Sequence, residues 1–320
     1  MDFLLSFLNS LPGAVGQGLA WGVMAIGVYI TYRILDVADL TVDGSLATGG
    51  AVCAVLISMG VNPWAAMLAA LLAGMLAGLA TGVFHTVCGI PAILSGILTQ
   101  LALYSINLRI MAIGDETAKT KSSLAISVDR HDLLISSRNI RELTLDNPIL
   151  LLVVIVALVI AILYWFFGTE QGSALRATGS NGNMARAQGI NTDVSKVLGL
   201  VVSNGLVAMA GALLAQYQGS ATIDMGRGAI VIGLAAVIIG QVLFGKVFRN
   251  FALKLLAVSI GAIIYYIVIQ AVVSLSNINT NYLKLISALI VAVFLTIPYW
   301  KGKYFSRPVQ PAKKEGNPHA

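Results

Sequence analysis

The run Pro148-Ile-Leu-Leu-Leu-Val-Val-Ile-Val-Ala-Leu-Val-Ile-Ala-Ile-Leu-Tyr-Trp-Phe-Phe167 contains no charged side chain. A helix needs about 20 apolar residues, at a rise of about 1.5 Å each, to cross the hydrocarbon core of a bilayer, and this run has that length. Similar runs recur along the chain between short polar breaks. This pattern indicates that lipid surrounds most of the protein.

The composition excludes an ordinary soluble domain. Hydrophobic residues make up 58% of the chain and charged residues only 11%, whereas soluble domains have about 45–50% and about 25%. The 32 glycines are typical of membrane helices, in which small residues let backbones approach closely. The clearest example is Gly74-Met-Leu-Ala-Gly78-Leu-Ala-Thr-Gly82. The basic residues are scattered rather than clustered on one face, so we expect no nucleic-acid partner.

The apolar runs predict an all-α, polytopic transmembrane bundle of about nine spans, with a range of roughly eight to ten, within residues 1–300. The spans are Gly13–Leu35, Gly44–Gly60, Trp64–His85, Pro91–Ala112, Pro148–Phe167, Ser195–Gln216, Gly228–Gly245, Phe251–Val272 and Tyr282–Pro298. Two of them, Gly44–Gly60 and Gly228–Gly245, are short and rich in glycine. They are also compatible with broken or re-entrant helices that line a cavity.

An odd number of spans puts the two termini on opposite sides of the membrane. The basic tail, residues 301–320, predicts a cytoplasmic C-terminus by the positive-inside rule, so we expect the N-terminus outside. This topology places the polar segment 113–146 outside and the loop 168–196 in the cytoplasm.

A similar short sequence precedes each of the two glycine-rich spans. Thr41-Val42-Asp43-Gly44 leads into one of them, and Thr222-Ile223-Asp224-Met225-Gly226 leads into the other from the opposite side of the membrane. One interpretation is an inverted repeat around a site near the midplane. The other is ordinary turn chemistry, in which Asp and Gly cap the starts of helices.

No pattern of residues points to catalysis or to a bound cofactor. His85, His131 and His319 lack metal-ligand spacing, and Cys53 and Cys88 are interpreted as free thiols. Gly240–Lys246 matches the first part of a phosphate-binding loop, but Val247 replaces the hydroxyl that would hold magnesium. We therefore expect no cofactor in this chain. If ATP drives its activity, another chain must bind the nucleotide with its Mg²⁺.

The loop 168–196 combines polar residues with small and apolar residues at helical spacing. Asn183–Gln188 predicts a short helix that Gly189 ends. Such a helix would offer Met184, Ala185 and Ala187 to a partner groove, with Arg176 and Arg186 available to carboxylates. From the residues alone, a solvated loop with one helical turn remains an equal alternative.

The pattern Arg176-Ala-Thr-Gly-x-Asn181-x-x-Met184-Ala185-Arg186-x-x-Gly189-Ile190, followed by Ala210-Gly-Ala-Leu-Leu-Ala215, resembles permeases of the branched-chain amino acid and simple-sugar group of ABC importers. The N-terminal half is similar too, in Gly18-Leu-Ala-Trp-Gly-Val-Met-Ala-Ile-Gly27 and Arg33-Ile-Leu-Asp36. Where branched-chain permeases usually carry an Asn-Phe-Ala-His-Gly-like run, this chain has Asp39-Leu-Thr-Val-Asp-Gly44. That variant resembles a subgroup of which some members are linked to aromatic amino acid uptake.

The resemblance implies a permease subunit of the bacterial cytoplasmic (inner) membrane that forms the pathway for a small solute, with an amino acid as the first candidate and aromatic ones included. It implies three kinds of protein partner, which are ABC ATPase subunits, a soluble or lipid-anchored substrate-binding protein at the outer segment, and a second copy of the permease. The residues expected to couple to the ATPase are Arg176, Asn181, Asn183, Met184, Ala185, Arg186 and Gly189.

Polar residues within the spans are the candidates for the pathway, because an unpaired polar group facing lipid is disfavoured. They are Asp43, Gln100, Asn107, Asn204, Gln216 and Asp224. The alternative function is a secondary transporter or channel driven by an ion gradient, which the two short glycine-rich spans favour. The lack of a conspicuous buried acid or histidine relay disfavours it. A membrane enzyme is a more distant alternative, since no catalytic constellation is present.

Overall fold

A computed structural model of the chain describes residues 2–114, 119–126, 133–137, 147–245, 247–275, 285, 288–294 and 296, with side chains from residue 7 onward. Ten α-helices with defined bounds lie in the described part of the chain, and residues 288–294 are helical as well. The ten are α1 (Asp2–Tyr29), α2 (Val42–Ser58), α3 (Pro63–Thr86), α4 (Ala92–Ile110), α5 (Pro148–Gly168), α6 (Glu170–Ser180), α7 (Gly182–Ala187), α8 (Thr192–Gln218), α9 (Ala229–Phe244) and α10 (Phe251–Leu275). A π-helical turn, Ile30–Ile34, extends α1, and a 3-10 turn, Ile223–Gly226, precedes α9.

The predicted all-α membrane bundle is confirmed. Seven helical stretches in the described residues are long and apolar enough to cross a membrane, and the shorter α2 is also apolar. Together they account for eight of the nine predicted spans. Of the ninth, Tyr282–Pro298, residues 288–294 are described and helical, but both predicted ends lie outside the described residues. The first helix begins at Asp2 rather than Gly13, because Pro12 is accommodated inside it instead of marking its start.

Asparagine and proline start two of the long helices in the same way. Asn62 accepts a hydrogen bond from the backbone N–H of Trp64 (2.9 Å), and Asn147 accepts one from Ile149 (3.0 Å). In both cases a proline occupies the first helical position, where its missing N–H costs nothing. These caps fix where α3 and α5 begin.

Helix α8 packs at the centre of the bundle against α1, α2 and α3. Glycines make this packing close, since a Cβ atom on Gly49 would collide with the backbone of Ala208 and one on Gly211 with Leu46. The predicted ladder on α3 lies on α8 as well, where Gly74, Gly78 and Gly82 contact Asn204, Leu200 and Val197 in turn. The reversed order of those contacts shows that α3 runs antiparallel to α8. Helix α2 runs parallel to α8, because Ser45 at the start of α2 bonds to Asn204 and Cys53, further along α2, bonds to Gln216 near the end of α8.

Helix α10 runs antiparallel to both α1 and α9. The paired positions are Gly18 with Ile263, Gly22 with Ser259, Gly240 with Ala257 and Gly261 with Ala236. Helices α1 and α9 therefore point the same way. Helix α1 runs antiparallel to α8, because Tyr217 bonds to Gly13 and Ser203 bonds to Gly27, so α1 and α9 run opposite to α2 as well.

A two-stranded antiparallel ladder joins β1 (Ser123–Ala125) to β2 (Ser220–Thr222), with Leu124 opposite Ala221. It ties the segment between α4 and α5 to the end of α8, while α6 and α7 lie at the start of α8. The predicted outer segment and cytoplasmic loop thus occupy opposite ends of the bundle. Which end faces the cytoplasm remains a prediction.

Candidate functional site: a polar cleft and a helical docking unit

A polar cleft of about 160 Å³ lies between α2, α4 and the turn that precedes α9. Its lining includes Asp43, Gln100, Tyr104, Asn107 and Arg227. The cleft lies deep in the bundle, because Ser45 in the first turn of α2 bonds to Asn204 near the middle of α8. The structure therefore brings together three of the six predicted pathway residues.

Asp43 holds the start of α9. Its carboxylate accepts hydrogen bonds from the backbone N–H groups of Gly228 (2.9 Å) and Ile230 (3.0 Å). A carboxylate is stabilised there, because the first N–H groups of a helix lack intrahelical partners and carry partial positive charge. The two glycine-rich helices α2 and α9 thus begin side by side and run in opposite directions. That is the arrangement an inverted pair requires, although the repeat itself remains a prediction.

Asp224 lies beside the cleft and forms an ion pair with Arg227 (3.0 Å). Both side chains are more than half exposed in a single chain, and exposed pairs of this kind contribute only about 0–1 kcal/mol to stability. The pair therefore adds one charge of each sign at the cleft but contributes little to the stability of the fold.

Asn107 is buried, with 1% of its surface exposed. Neither its amide nitrogen nor its oxygen has a hydrogen-bond partner among the residues that the structure describes. A buried polar group without a partner is disfavoured by about 1–3 kcal/mol, so such groups occur where something else requires them. On the cleft wall, Asn107 can both donate to and accept from a polar solute.

Asn204 and Gln216 contribute to the helix packing within one chain, and their place on the pathway stays a prediction. Asn204 accepts from Ser45 Oγ (2.6 Å) and donates to an Asp39 carboxylate oxygen (2.7 Å). Gln216 accepts from the backbone N–H of Leu134 (3.2 Å) and donates to Cys53 Sγ (3.4 Å). Both amides are fully buried and join helices within one chain.

Helix α4 presents polar side chains on an exposed face. Tyr104, Ser105 and Arg109 are all exposed there, next to the cleft, among exposed apolar side chains such as Leu101 and Ile106. The exposed side chains of α5, by contrast, are apolar, as at Val154, Leu158 and Ile162. Lipid suits the face of α5, whereas a polar face in a membrane normally meets protein or water.

At the start of α8, helices α6 and α7 form a compact unit. An asparagine or threonine caps the start of each of the three helices. Thr169 caps α6, Asn181 ends α6 and caps α7 through Met184 N–H (3.1 Å), and Asn191 caps α8. Gly189, with φ of +82°, makes the left-handed turn that closes α7. The predicted short helix and its glycine stop are confirmed.

Met184 projects from α7 with 63% of its surface exposed, and Asn181, Asn183, Arg186 and Gly189 are exposed as well. The expectation that Ala185 faces a partner is wrong. Its side chain is only 4% exposed, because it lies on the inner side of the single turn. Arg186 bonds to Thr192 Oγ1 (2.7 Å), which fixes α7 to the start of α8. Arg176 donates to the Phe167 carbonyl (2.8 Å), away from α7.

Helix α6 touches the link between α1 and α2. The Gly179 Cα is so close to the Ile34 carbonyl that a Cβ atom would overlap it. The Leu35 side chain lies against Gly199 of α8. From there the chain turns at Asp36, a non-glycine residue with φ of 55°, and reaches Asp39 and Asp43. The α6–α7 unit and the cleft are therefore joined by about nine residues of backbone.

A family model described as "Branched-chain amino acid transport system / permease component" matches residues 11–295. The chain belongs to this permease family. It is 38% identical over 288 residues to the tyrosine transport system permease protein of Clostridioides difficile (strain R20291), covering 90% of this chain and 91% of that protein. It is 25% identical to the xylose transport system permease protein XylH of Haemophilus influenzae, covering 72% of this chain and 59% of XylH. The solved structure of PsaBC from Streptococcus pneumoniae in complex with Fab has a TM-score of 0.38 at 16% identity, covering 84% of this chain and 91% of that one.

The permease is thus a multi-pass protein of the bacterial inner membrane, and the suggested family resemblance is confirmed. Sequence reasoning missed Arg227 and Tyr104 on the wall of the cleft and the buried Asp39 that pairs with Asn204. Asp39 had a detectable signal, because an acid between apolar spans must find a buried donor. Arg227 and Tyr104 had none, since both are ordinary residues for a helix end or a membrane interface.

Proposed function

We propose that this permease is the transmembrane subunit of an ATP-driven importer that moves an amino acid, with aromatic amino acids as the first candidates. The observation that carries the proposal is the α6–α7 unit, an exposed short helix in backbone contact with the segment that leads to the polar cleft. The tyrosine permease relative supports the substrate class.

In this mechanism ATPase subunits bind α7 around Met184 and hydrolyse ATP, for which the permease has no residues of its own. Closure of the ATPases displaces α6, and Gly179 transfers the displacement to Ile34 and Leu35. The chain from Leu35 to Asp43 then shifts against α8. Because Asp43 also holds the start of α9, the cleft changes shape as this link moves.

A second permease copy completes the pathway. The cleft has one wall formed by α2, α4 and the turn before α9, and the polar face of α4 continues beside it. The polar side chains of that face, Tyr104, Ser105 and Arg109, are unsuited to lipid, so a second copy that brings its own α4 opposite the first would enclose a polar route. A substrate-binding protein would deliver the solute at the end of the bundle that carries the β1–β2 ladder.

The charges in the cleft favour an amino acid over a sugar. Asp224 and Arg227 supply one charge of each sign about 3 Å apart, which suits an ammonium group and a carboxylate on one small molecule. Asn107 supplies an additional donor and acceptor. A neutral sugar, such as that of the xylose relative, would use the hydrogen bonds but not the paired charges.

The test compares ATPase binding by two variants. Met184→Asp puts a charge on the exposed face of α7, and Val87→Asp puts one on a side chain that is 77% exposed in the α3–α4 link at the same end. Met184→Asp should lose co-purification of the candidate ATPase, while Val87→Asp should keep it. Equal ATPase binding by wild type and Met184→Asp would contradict the docking role.

The alternative is an ion-gradient transporter or channel. It predicts that no ATPase co-purifies with wild type or with either variant, and that neither substitution alters uptake.

A further inference from the structure

A second, larger cleft lies at the α6 end of the bundle, between the end of α1, α6 and the start of α10. Its volume is about 780 Å³. Four cationic side chains line it, namely Arg33, Arg176, Arg249 and Lys254, and Asp36 is the only acid among its lining residues. The proposed transport mechanism gives no role to Arg33, Arg249 or Lys254, and for Arg176 the family resemblance implies only a place among the ATPase-coupling residues.

The four cations are exposed and are not neutralised by neighbouring acids. Among the described residues, none of them forms an ion pair with a carboxylate. Arg176 donates to the Phe167 carbonyl and to Ser173 Oγ through one terminal nitrogen, which leaves its other N–H groups available. The cleft therefore has the chemistry of an anion site, with a local excess of three positive charges.

An apolar groove of about 500 Å³ adjoins this cleft. The two cavities share Tyr164, Arg176 and Phe251 in their linings, and the groove also includes Trp165 and Phe167. Trp165 is 72% exposed in the last turn of α5. Tyrosine and tryptophan at the ends of transmembrane helices lie at the level of the lipid headgroups. The charged cleft and the apolar groove thus meet at the membrane surface.

We propose that this composite site binds one anionic phospholipid, with the phosphate in the cationic cleft and an acyl chain in the aromatic groove. Basic pockets between transmembrane helices are suited to such headgroups. An acidic protein segment would use the cations but not the adjoining groove. A zwitterionic lipid would fill the groove, but its ammonium group would face the four cations of the cleft. The charge excess therefore selects an anionic headgroup.

Native mass spectrometry of the detergent-purified full-length chain tests the site, with dioleoyl phosphatidylglycerol and dioleoyl phosphatidylethanolamine as the probes. Wild type should bind phosphatidylglycerol more tightly than phosphatidylethanolamine. Arg249→Gln combined with Lys254→Gln should weaken phosphatidylglycerol binding about 25-fold, since each cation near an anionic headgroup changes affinity about fivefold. Phosphatidylethanolamine binding should change less than about twofold.

Two matched variants separate the site from general charge effects. Arg109→Gln combined with Lys196→Gln removes the same charge outside the cleft and should retain the lipid preference. Arg249→Lys combined with Lys254→Arg keeps the charge and should retain it too. Equal binding of the two lipids by wild type, or an equal loss in the Arg109→Gln, Lys196→Gln variant, would overturn the proposal.

Two further measurements test the role of the apolar groove and distinguish a lipid headgroup from a soluble phosphate. Trp165→Ala should weaken both lipids without altering the preference between them. Millimolar sn-glycerol 3-phosphate should fail to displace phosphatidylglycerol, because it lacks the acyl chains. Full displacement by that soluble phosphate would show an anion site without lipid selectivity and would refute the lipid assignment.

Discussion

Two buried asparagines provide a matched pair of substitutions, Asn204→Leu and Asn107→Leu. Asn204 forms three hydrogen bonds, to Ser45, Asp39 and the Leu200 carbonyl. Side-chain hydrogen bonds within a membrane helix bundle average about 0.6 kcal/mol each, so the loss of these three costs about 2 kcal/mol. The buried Asp39 carboxylate also loses a donor, which adds about 1–3 kcal/mol. We expect Asn204→Leu to lower the free energy of unfolding by about 3–5 kcal/mol.

Asn107 has no partner to lose among the described residues. Asn107→Leu should leave stability unchanged or raise it by about 1 kcal/mol, because an unpaired amide becomes apolar. Amino acid uptake should nevertheless fall about fivefold, through loss of one hydrogen bond to the solute.

Thermal unfolding of the two purified variants and uptake at matched protein levels measure both effects. A gap of about 8 °C or more in Tm is expected between them. If Asn107→Leu is as unstable as Asn204→Leu, Asn107 is a packing residue and its assignment to the pathway is wrong.

The remaining predictions concern the cap and the close helix contacts. Asp43→Asn removes the charge and one acceptor at the start of α9, so the free energy of unfolding should fall by about 1–2 kcal/mol and uptake should drop. The control Asp36→Asn changes an exposed carboxylate and should behave as wild type in both assays. Gly49→Ala forces a methyl group onto Ala208 and should destabilise the bundle by about 1–3 kcal/mol in thermal unfolding, while Gly168→Ala, with open space around it, should not. Gly179→Ala should keep ATPase binding but lose ATP-driven uptake, because α6 can no longer rest on the α1–α2 link; unchanged uptake would contradict the coupling route.

Much of the fold follows from the sequence because lipid imposes a simple rule. Every backbone polar group in the hydrocarbon region must be paired within the chain, so each long apolar run becomes a helix. The Pro148–Phe167 run shows this directly, since α5 has nearly the same bounds. The glycines of α3 were equally informative, because only small residues permit the contact that Gly74 and Gly78 make with α8.

The roles of individual polar residues could not be predicted, because their partners are far apart in the chain. Asn107 and Asn204 are both asparagines within apolar helices, yet Ser45 and Asp39 pair with Asn204 and nothing described pairs with Asn107. Ala185 illustrates the same limit at the surface. In a helix of six residues, helical spacing does not define which side faces the protein, and the Arg186 bond to Thr192 decides it.

The helix ends were predictable where a cap was present and uncertain elsewhere. Gly189 marked the end of α7 because a left-handed turn favours glycine. The π-helical turn at Ile30–Ile34 had no such marker, and it arises where α1 meets α6 and α8. This same junction joins the α6–α7 unit to the cleft.

The central claim, ATP-driven import through this permease, is tested most directly by uptake into proteoliposomes. The vesicles would contain the permease with its candidate ATPase and binding protein, and radiolabelled amino acids including tyrosine would be supplied. The account predicts uptake that requires ATP hydrolysis and persists when ionophores abolish all ion gradients. Uptake that needs no ATPase and disappears with the ion gradient would contradict it and would identify a secondary transporter instead.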